Sequence, residues 1–361
     1  MLEGAVYFFR FGKGVIYLFE LKFMITRTLL FWLLLLSCLL APLDRLFAAE
    51  VNVYSFRQPF LIQPLFDDFT RKTGIKVNMV FAEKGLVERL RQEGRNSPAD
   101  LLLTTDVSWL GEAEAAGVLQ PVRTPTLEAN VPSAWRHPQG LWYGLSMRAR
   151  VIFAAKGRVR PGEITTYAQL ADPRFKGRIC SRSSLHDYNV SLLAAQIAHL
   201  GEDRARAWAA GLLANLAHKP QGNDRSQVRA IKEGECDLAL VNTYYMGKML
   251  DDPEQKSWAE AVYLIFPDQN GNGAHVNISG AGITQAAPHK AEAIRLLEFL
   301  TGLEAQRLYA ELNYEYPIRP GVAWSPVVTS WGRFKPDTMG LESLIRNRAL
   351  AIRIYDQVGY Q

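Results

Sequence analysis

The sequence predicts an α/β protein of two lobes, each built on a mostly parallel sheet flanked by helices. Three observations carry that expectation. Segments of strand and helix period alternate from Val51 to Gly117, and such alternation calls for a parallel sheet with helices on both faces. A second run of the same kind opens near Gly177 and continues to Phe266. Finally, 361 residues exceed what one hydrophobic core ordinarily serves and divide comfortably into two.

Taken in order, residues 51–54 form a first strand that stops at Ser55, Phe56, Arg57, Gln58 and Pro59. A helical stripe through Leu61, Leu65 and Phe69 follows and ends at Thr73 and Gly74. Residues 75–81 alternate as a strand, Leu86, Val87 and Leu90 mark a helix closed by Gly94, and residues 100–104 make a third strand. Trp109, Leu110 and Ala113 lie on a helix running to Gly117. The apolar stretch 141–153 is interrupted by Arg148 and Arg150. The second unit has a strand at 178–180, a loop over 183–189 and helices at 190–200 and 205–216. A turn over 219–224 with a good N-cap opens a helix that ends at Gly234. Residues 238–241 read as a short buried strand. Later strands are expected at 262–266 and 276–283, the second long enough to cross between lobes. Helices near 290–301 and 303–312 and an amphipathic stretch near 341–358 complete the chain.

Composition narrows the function classes. Apolar content of 48% and charged content of 21% are those of an ordinary globular protein. The formal charge of +5 comes without a Lys/Arg run or an aromatic-interleaved basic patch, so nucleic-acid binding has no support. No Cys/His cluster has metal spacing, which argues against a structural zinc. Neither a nucleophile–base pair nor paired acid–base carboxylates stand out, so no enzyme is expected. Residues 1–49 differ from the rest: Arg27 precedes a Leu-rich core that ends in Ala48-Ala49, the pattern of a secretory signal with its start at Met24. Cys38 faintly suggests an acylation site, although a second apolar stretch follows it. A retained segment would instead make a tethered sensor. Five basic and three acidic residues lie in 1–49, so the remainder carries +3. It keeps Cys180 and Cys236, both in strand-like runs, and an oxidising compartment leaves two readings, a disulfide or two buried thiols.

The candidate site centres on Tyr244 and Tyr245, which follow the buried strand at once. Ligands of open α/β sheets bind at the carboxyl ends of strands, so both phenols would face a crevice. A hard trivalent cation can displace the phenolic proton, and tyrosinate is an axial ligand of ferric haem. The plainer reading is a pair of half-buried aromatics on opposite sides of a strand. Tyr188 falls between a strand and the next helix of the same unit, and three hard oxygen donors suit iron(III) far better than zinc or copper(I). Arg148 and Arg150, two residues apart, share one face of a strand. Inside an apolar run each needs a bound anion or an internal carboxylate as partner; the structural reading is favoured for Arg150. Arg148 with Arg57 would hold a small anion in the open coordination positions. His186 reads as a solvated loop residue and His275 as a hinge or surface residue.

These segments resemble the periplasmic ferric-iron-binding proteins of bacterial ABC importers, within the type II periplasmic binding proteins. The likeness rests on residues 53–59 (Val-Tyr-Ser-Phe-Arg-Gln-Pro), 73–78, 97–100 and 148–151. It continues through Tyr188-Asn189, residues 220–224, 242–245 (Asn-Thr-Tyr-Tyr) and 275–280 (His-Val-Asn-Ile-Ser-Gly). The resemblance implies two α/β lobes joined by a two-strand hinge, with iron gripped in the cleft. It divides the chain into a signal at 1–49, an N-terminal lobe at 50–147 plus about 276–320, a C-terminal lobe at 148–275, and a helical segment at 321–361 of unassigned lobe. It further implies that Tyr188, Tyr244 and Tyr245 bind iron(III) and that Arg148 holds carbonate or a similar synergistic anion. Many members read Arg-His-Tyr where this chain reads Arg57-Gln58-Pro59. Gln58 is neither phenolate nor imidazole, which points to the subgroup in which three tyrosines bind and Arg57 and Gln58 touch the anion. The expected partners are an inner-membrane ABC permease and a separate ATPase, since no Walker motif is present, and a periplasmic monomer is expected. The alternative is the same fold holding an organic anion, a polyamine or thiamine.

Overall fold

The structure is a computed structural model that describes residues 49–360. The expectations for the export signal, the Met24 start and Cys38 lie outside the described residues. Strand β1 (Glu50–Ser55), helix α1 (Pro59–Thr73), strand β2 (Lys76–Phe81), helix α2 (Leu86–Glu93), strand β3 (Leu101–Thr104) and helix α3 (Val107–Ala115) follow the expected order closely. Pro59 opens α1, where its missing N–H is harmless. Gly74 closes that helix at φ 73°, a left-handed conformation that a side chain would strain.

After the short α4 (Pro125–Asn130), strand β4 (Tyr143–Ala155) runs for 13 residues through both sheets. Its first part pairs antiparallel with β8 (Val276–Ile283), as Tyr143 with Ala281 and Ala149 with Val276. Its second part pairs with β6 (Leu238–Asn242), from Arg150 opposite Asn242 to Ala154 opposite Leu238. β7 (Val262–Ile265) lies along the same part of β4 and ends at Ile265 opposite Ile152. The return crossing is therefore made in two pieces, β7 and β8, with residues 266–275 looped out between them, and not by the single strand 276–283 that the sequence suggests. A buried strand needs an unbroken apolar run, and the polar stretch from Asp268 to Asn272 does not supply one.

The parallel character is confined to β2-β1-β3 and to β5 (Ile179–Cys180) beside β6. β8 pairs antiparallel with β3 and β4, and β6, β7 and β9 (Tyr316–Pro317) pair antiparallel with β4. A chain that leaves one sheet and comes back alongside itself must run the opposite way, so the crossing strands set this mixture.

The remaining helices are α5 (Asp187–Leu200), α6 (Glu202–Ala214), α7 (Asp224–Glu233), α8 (Tyr244–Asp251), α9 (Lys256–Glu260), α10 (Lys290–Thr301), α11 (Leu303–Asn313), α12 (Pro326–Ser330) and α13 (Leu341–Val358). No helix among the described residues is long and apolar enough to cross a membrane. α13 binds α5 through Asn347 Nδ2 to Ala194 O and Tyr355 Oη to Asn189 O, each 3.2 Å. It also closes on α3, where a Cβ on Gly111 would come within 2.4 Å of Ile345. Cys180 and Cys236 are bridged, with an S–S distance of 2.04 Å, so the disulfide reading holds. The bridge ties the end of β5 to the chain just before β6.

Candidate metal centre

β6 is buried along its whole length. Thr243 ends it, its hydroxyl accepting the Ala149 N–H at 3.3 Å, and α8 begins at the next residue. Tyr244 and Tyr245 thus occupy the first turn of a helix and not the two faces of a strand. Neighbours on a helix diverge by only about 100°, so the two rings stay together, with centroids 4.3 Å apart. Tyr188 also lies on a first turn, that of α5, which starts earlier than the sequence suggests because Nδ1 of His186 accepts the Tyr188 N–H at 3.3 Å. Histidine is a weak N-cap signal compared with Ser, Asp or Asn, which hid the helix start. Two first turns from separate strands then meet: Oη of Tyr188 lies 2.9 Å from Oη of Tyr244.

Positive charge surrounds this phenol cluster. The guanidinium carbons of Arg182, Arg150 and Arg148 lie 5.3, 5.6 and 5.7 Å from the Tyr188 ring centroid. Two buried carboxylates offset them. Asp224 accepts from Arg150 Nη1 at 2.5 Å and Arg182 Nη1 at 3.0 Å, and Asp106 accepts from Arg148 Nη2 at 3.2 Å. Three guanidiniums against two carboxylates leave one positive charge over. Burial, and then the neighbouring phenol of Tyr188, push the Tyr244 and Tyr245 phenols above their ordinary value, so both hold their protons until a cation displaces them. Among the described residues no group of three or more His, Cys, Asp or Glu is placed to hold a metal ion. The phenols are the hard donor set on offer.

Beside Tyr188 is a cavity of about 10 Å³, lined by Arg148, Arg150, Asn242 and His275 among others. Three of its lining residues keep a buried donor with no partner: Arg148 Nη1, Arg150 Nε and Asn242 Nδ2. Such donors favour an occupant rich in acceptor oxygens. Arg150 has the internal carboxylate expected of it, Arg148 has one as well, and each keeps a free donor besides. His275 is not a surface residue. It is buried, its Nε2 is 3.2 Å from Ser191 Oγ, and burial with Arg148 and Arg150 pushes its pKa down to about 3. His186 is also shielded, and burial followed by Arg182 pushes its pKa down to about 4.

Arg57 and Gln58 are placed differently. The Arg57 fork engages Glu315, Nη2 to Oε2 at 2.5 Å and Nη1 to Oε1 at 3.1 Å, with Ser279 Oγ 2.9 Å from Nη1. Gln58 is exposed and precedes α1 without a side-chain cap bond. Sequence reasoning passed over Arg182, Asp106 and Asp224 as site residues. Only Asp224 left a trace, in the turn with a strong N-cap.

Comparison with known proteins places the site in context. The family described as bacterial extracellular solute-binding protein matches residues 96–329. Iron uptake protein A1 of Synechocystis sp. is 46% identical over 315 residues, covering 86% of this chain and 88% of the relative. The crystal structure of apo ferric ion-binding protein A of Pasteurella haemolytica superposes with a TM-score of 0.84 at 50% identity, covering 87% of this chain and 98% of that one. A Trichodesmium protein in complex with iron and citrate gives a TM-score of 0.81 at 42% identity, covering 87% of this chain and all of its own (100%).

Proposed function

Because the chain belongs to the bacterial extracellular solute-binding protein family, we infer that it is a periplasmic receptor that captures iron(III) and delivers it to an ABC permease served by a separate ATPase. The observation that carries this reading is the 2.9 Å approach of the Tyr188 and Tyr244 hydroxyls beside Tyr245. Three phenolates present three hard oxygens to a hard cation. The relatives' names, iron uptake and ferric ion-binding, support the same cargo. Iron displaces the phenolic protons, and the surrounding guanidiniums stabilise the negative charge that results.

The anion is assigned to the mouth of the cavity beside Tyr188, whose interior has room for about one water and where Arg148 Nη1 and Asn242 Nδ2 lack partners. Carbonate or another small oxyanion supplies the missing acceptors and meets the residual positive charge. Arg57 is left out of this shell, because its fork is held by Glu315, and so is Gln58. The lobes are assigned as residues 50–147 with about 276–320, and 148–275. α13 packs against elements of both. Since the phenols sit in the second lobe, iron loads there first, and rotation about β4 brings the first lobe over it.

A visible spectrum of purified protein, before and after adding iron(III) with bicarbonate, tests the reading. A tyrosinate-to-iron charge-transfer band is expected, and it should weaken or vanish in Tyr188→Phe, Tyr244→Phe and Tyr245→Phe. Bicarbonate-free buffer should weaken it as well. A protein that stays colourless under all these conditions gives the cleft to an organic ligand instead.

A further inference from the structure

Next to the Tyr188 ligand position is a contact that the metal reading does not use. Trp109 on α3 donates its indole N–H to Oδ2 of Asp187, the first residue of α5, at 2.8 Å. Arg348 on α13 donates to Oδ1 of the same carboxylate at 2.9 Å. The Arg348 guanidinium also lies 5.0 Å from the Trp109 ring centroid. Phe56, at the end of β1, stacks on that ring with centroids 4.7 Å apart and planes at 15°. The indole is thus oriented by its own sheet's residues and by the C-terminal helix, while its polar tip reaches the helix that carries a phenol.

We propose that Trp109 and Asp187 form a latch across the cleft that fixes the first turn of α5, and with it Tyr188, over the bound cation. Arg348 holds the Asp187 carboxylate in place. The proposal rests on the iron reading. Trp109 acts through Asp187 and is therefore a positioning residue. The bond joins an element after β3 to an element after β5, so opening about β4 breaks it and returns both partners to water. A contact made only in the closed state governs the rate of release and leaves loading into the open state unchanged. An acidic residue in the first turn is favourable with the helix dipole in either state, so Asp187 does not need Trp109 for α5 to form.

The test is Trp109→Phe, which keeps one aromatic ring for Phe56 and Arg348 and removes the donor together with part of the stacking surface. Protein loaded with iron(III) and bicarbonate is mixed with excess chelator, and loss of the charge-transfer band is followed in time. Release should quicken about tenfold, the scale of one charge-assisted hydrogen bond, with the band position unchanged. Asp187→Asn, which weakens both the indole and the Arg348 contacts, should also quicken release. Melting of the iron-free forms separates a structural role. If either variant melts lower yet releases iron within twofold of the wild-type rate, the latch is refuted. If the wild-type protein develops no band, the iron reading fails first and the latch with it.

Discussion

Removing the charge of Asp224 should destabilise the second lobe severely, and the structure sets the size of the effect. The side chain is fully buried. Its Oδ2 accepts from Arg150 Nη1 at 2.5 Å and the Asn242 N–H at 2.9 Å, and its Oδ1 accepts from Arg182 Nη1 at 3.0 Å. Burial alone would raise its pKa, but Arg150 and Arg182 outweigh burial and hold the carboxyl below its ordinary value. Asp224→Asn keeps the shape and leaves two guanidiniums without a counter-ion. Breaking a buried pair in this way costs about 3–5 kcal/mol, against a typical total of about 5–15 kcal/mol. At about 2–4 °C per kcal/mol, melting should fall by about 6–20 °C. The pH dependence has a definite sign. A depressed folded-state pKa gives stability that is present above the unfolded value, near ~4, and lost as pH falls through the folded value. The gap between wild type and variant should therefore be full at neutral pH and shrink in acid. Circular-dichroism melts of the iron-free proteins at about pH 7 and pH 3.5 measure both quantities. A neutral-pH gap under about 2 °C, far below the range expected, would refute the reasoning, as would a gap that stays constant in acid.

Two more outcomes are expected. The Cys180–Cys236 bridge spans 56 residues, so chain-entropy bookkeeping assigns it about 4 kcal/mol; a double Cys→Ser variant should lose most of that in a urea titration, and a loss under about 1 kcal/mol would set the account aside. Iron retention should weaken as pH falls, because the Tyr244 and Tyr245 phenols are held above their usual pKa and each must lose a proton to bind. With the Tyr188 phenol as the third ligand, three protons leave on binding and imply a change of about a thousandfold per pH unit, measurable against a chelator of known pH dependence, and a pH-independent affinity would exclude phenolate ligation.

Most of the fold was legible because local signals and tertiary packing agree. The stripe of Leu65 and Phe69 up to Gly74 gives α1 almost to the residue, and the charge-free run 238–241 gives β6. Signals failed where a helix starts without a standard cap. Tyr188 reads as a loop residue because His186 performs the capping. Tyr244 and Tyr245 read as strand-end residues because Thr243 makes no cap bond to mark α8. The site's three tyrosines were readable as a chemical set, but their surroundings were not. Arg57 finds Glu315 across 258 positions of sequence, and Arg150 finds Asp224 across 74. No periodicity encodes such pairings, which depend on how distant elements pack. Arg150 could be expected to need a carboxylate because it interrupts an apolar strand, yet nothing in the sequence said which one.

The disulfide bears on how the two phenol-bearing segments are held together. Cys180 and Cys236 each stand eight residues before a phenol of the cluster, Tyr188 and Tyr244. The bridge therefore anchors both chain segments at equal reach from the place where they meet. While the cysteines remain reduced, as they do in a glutathione-rich cytosol, only the β5–β6 pairing of Ile179 with Leu238 and Cys180 with Ala239 holds the two segments side by side. Oxidation adds a covalent tie to that pairing. The covalent tie thus sits at the root of both phenol-bearing segments, where it shortens the chain that any loosening of β5 from β6 could let out.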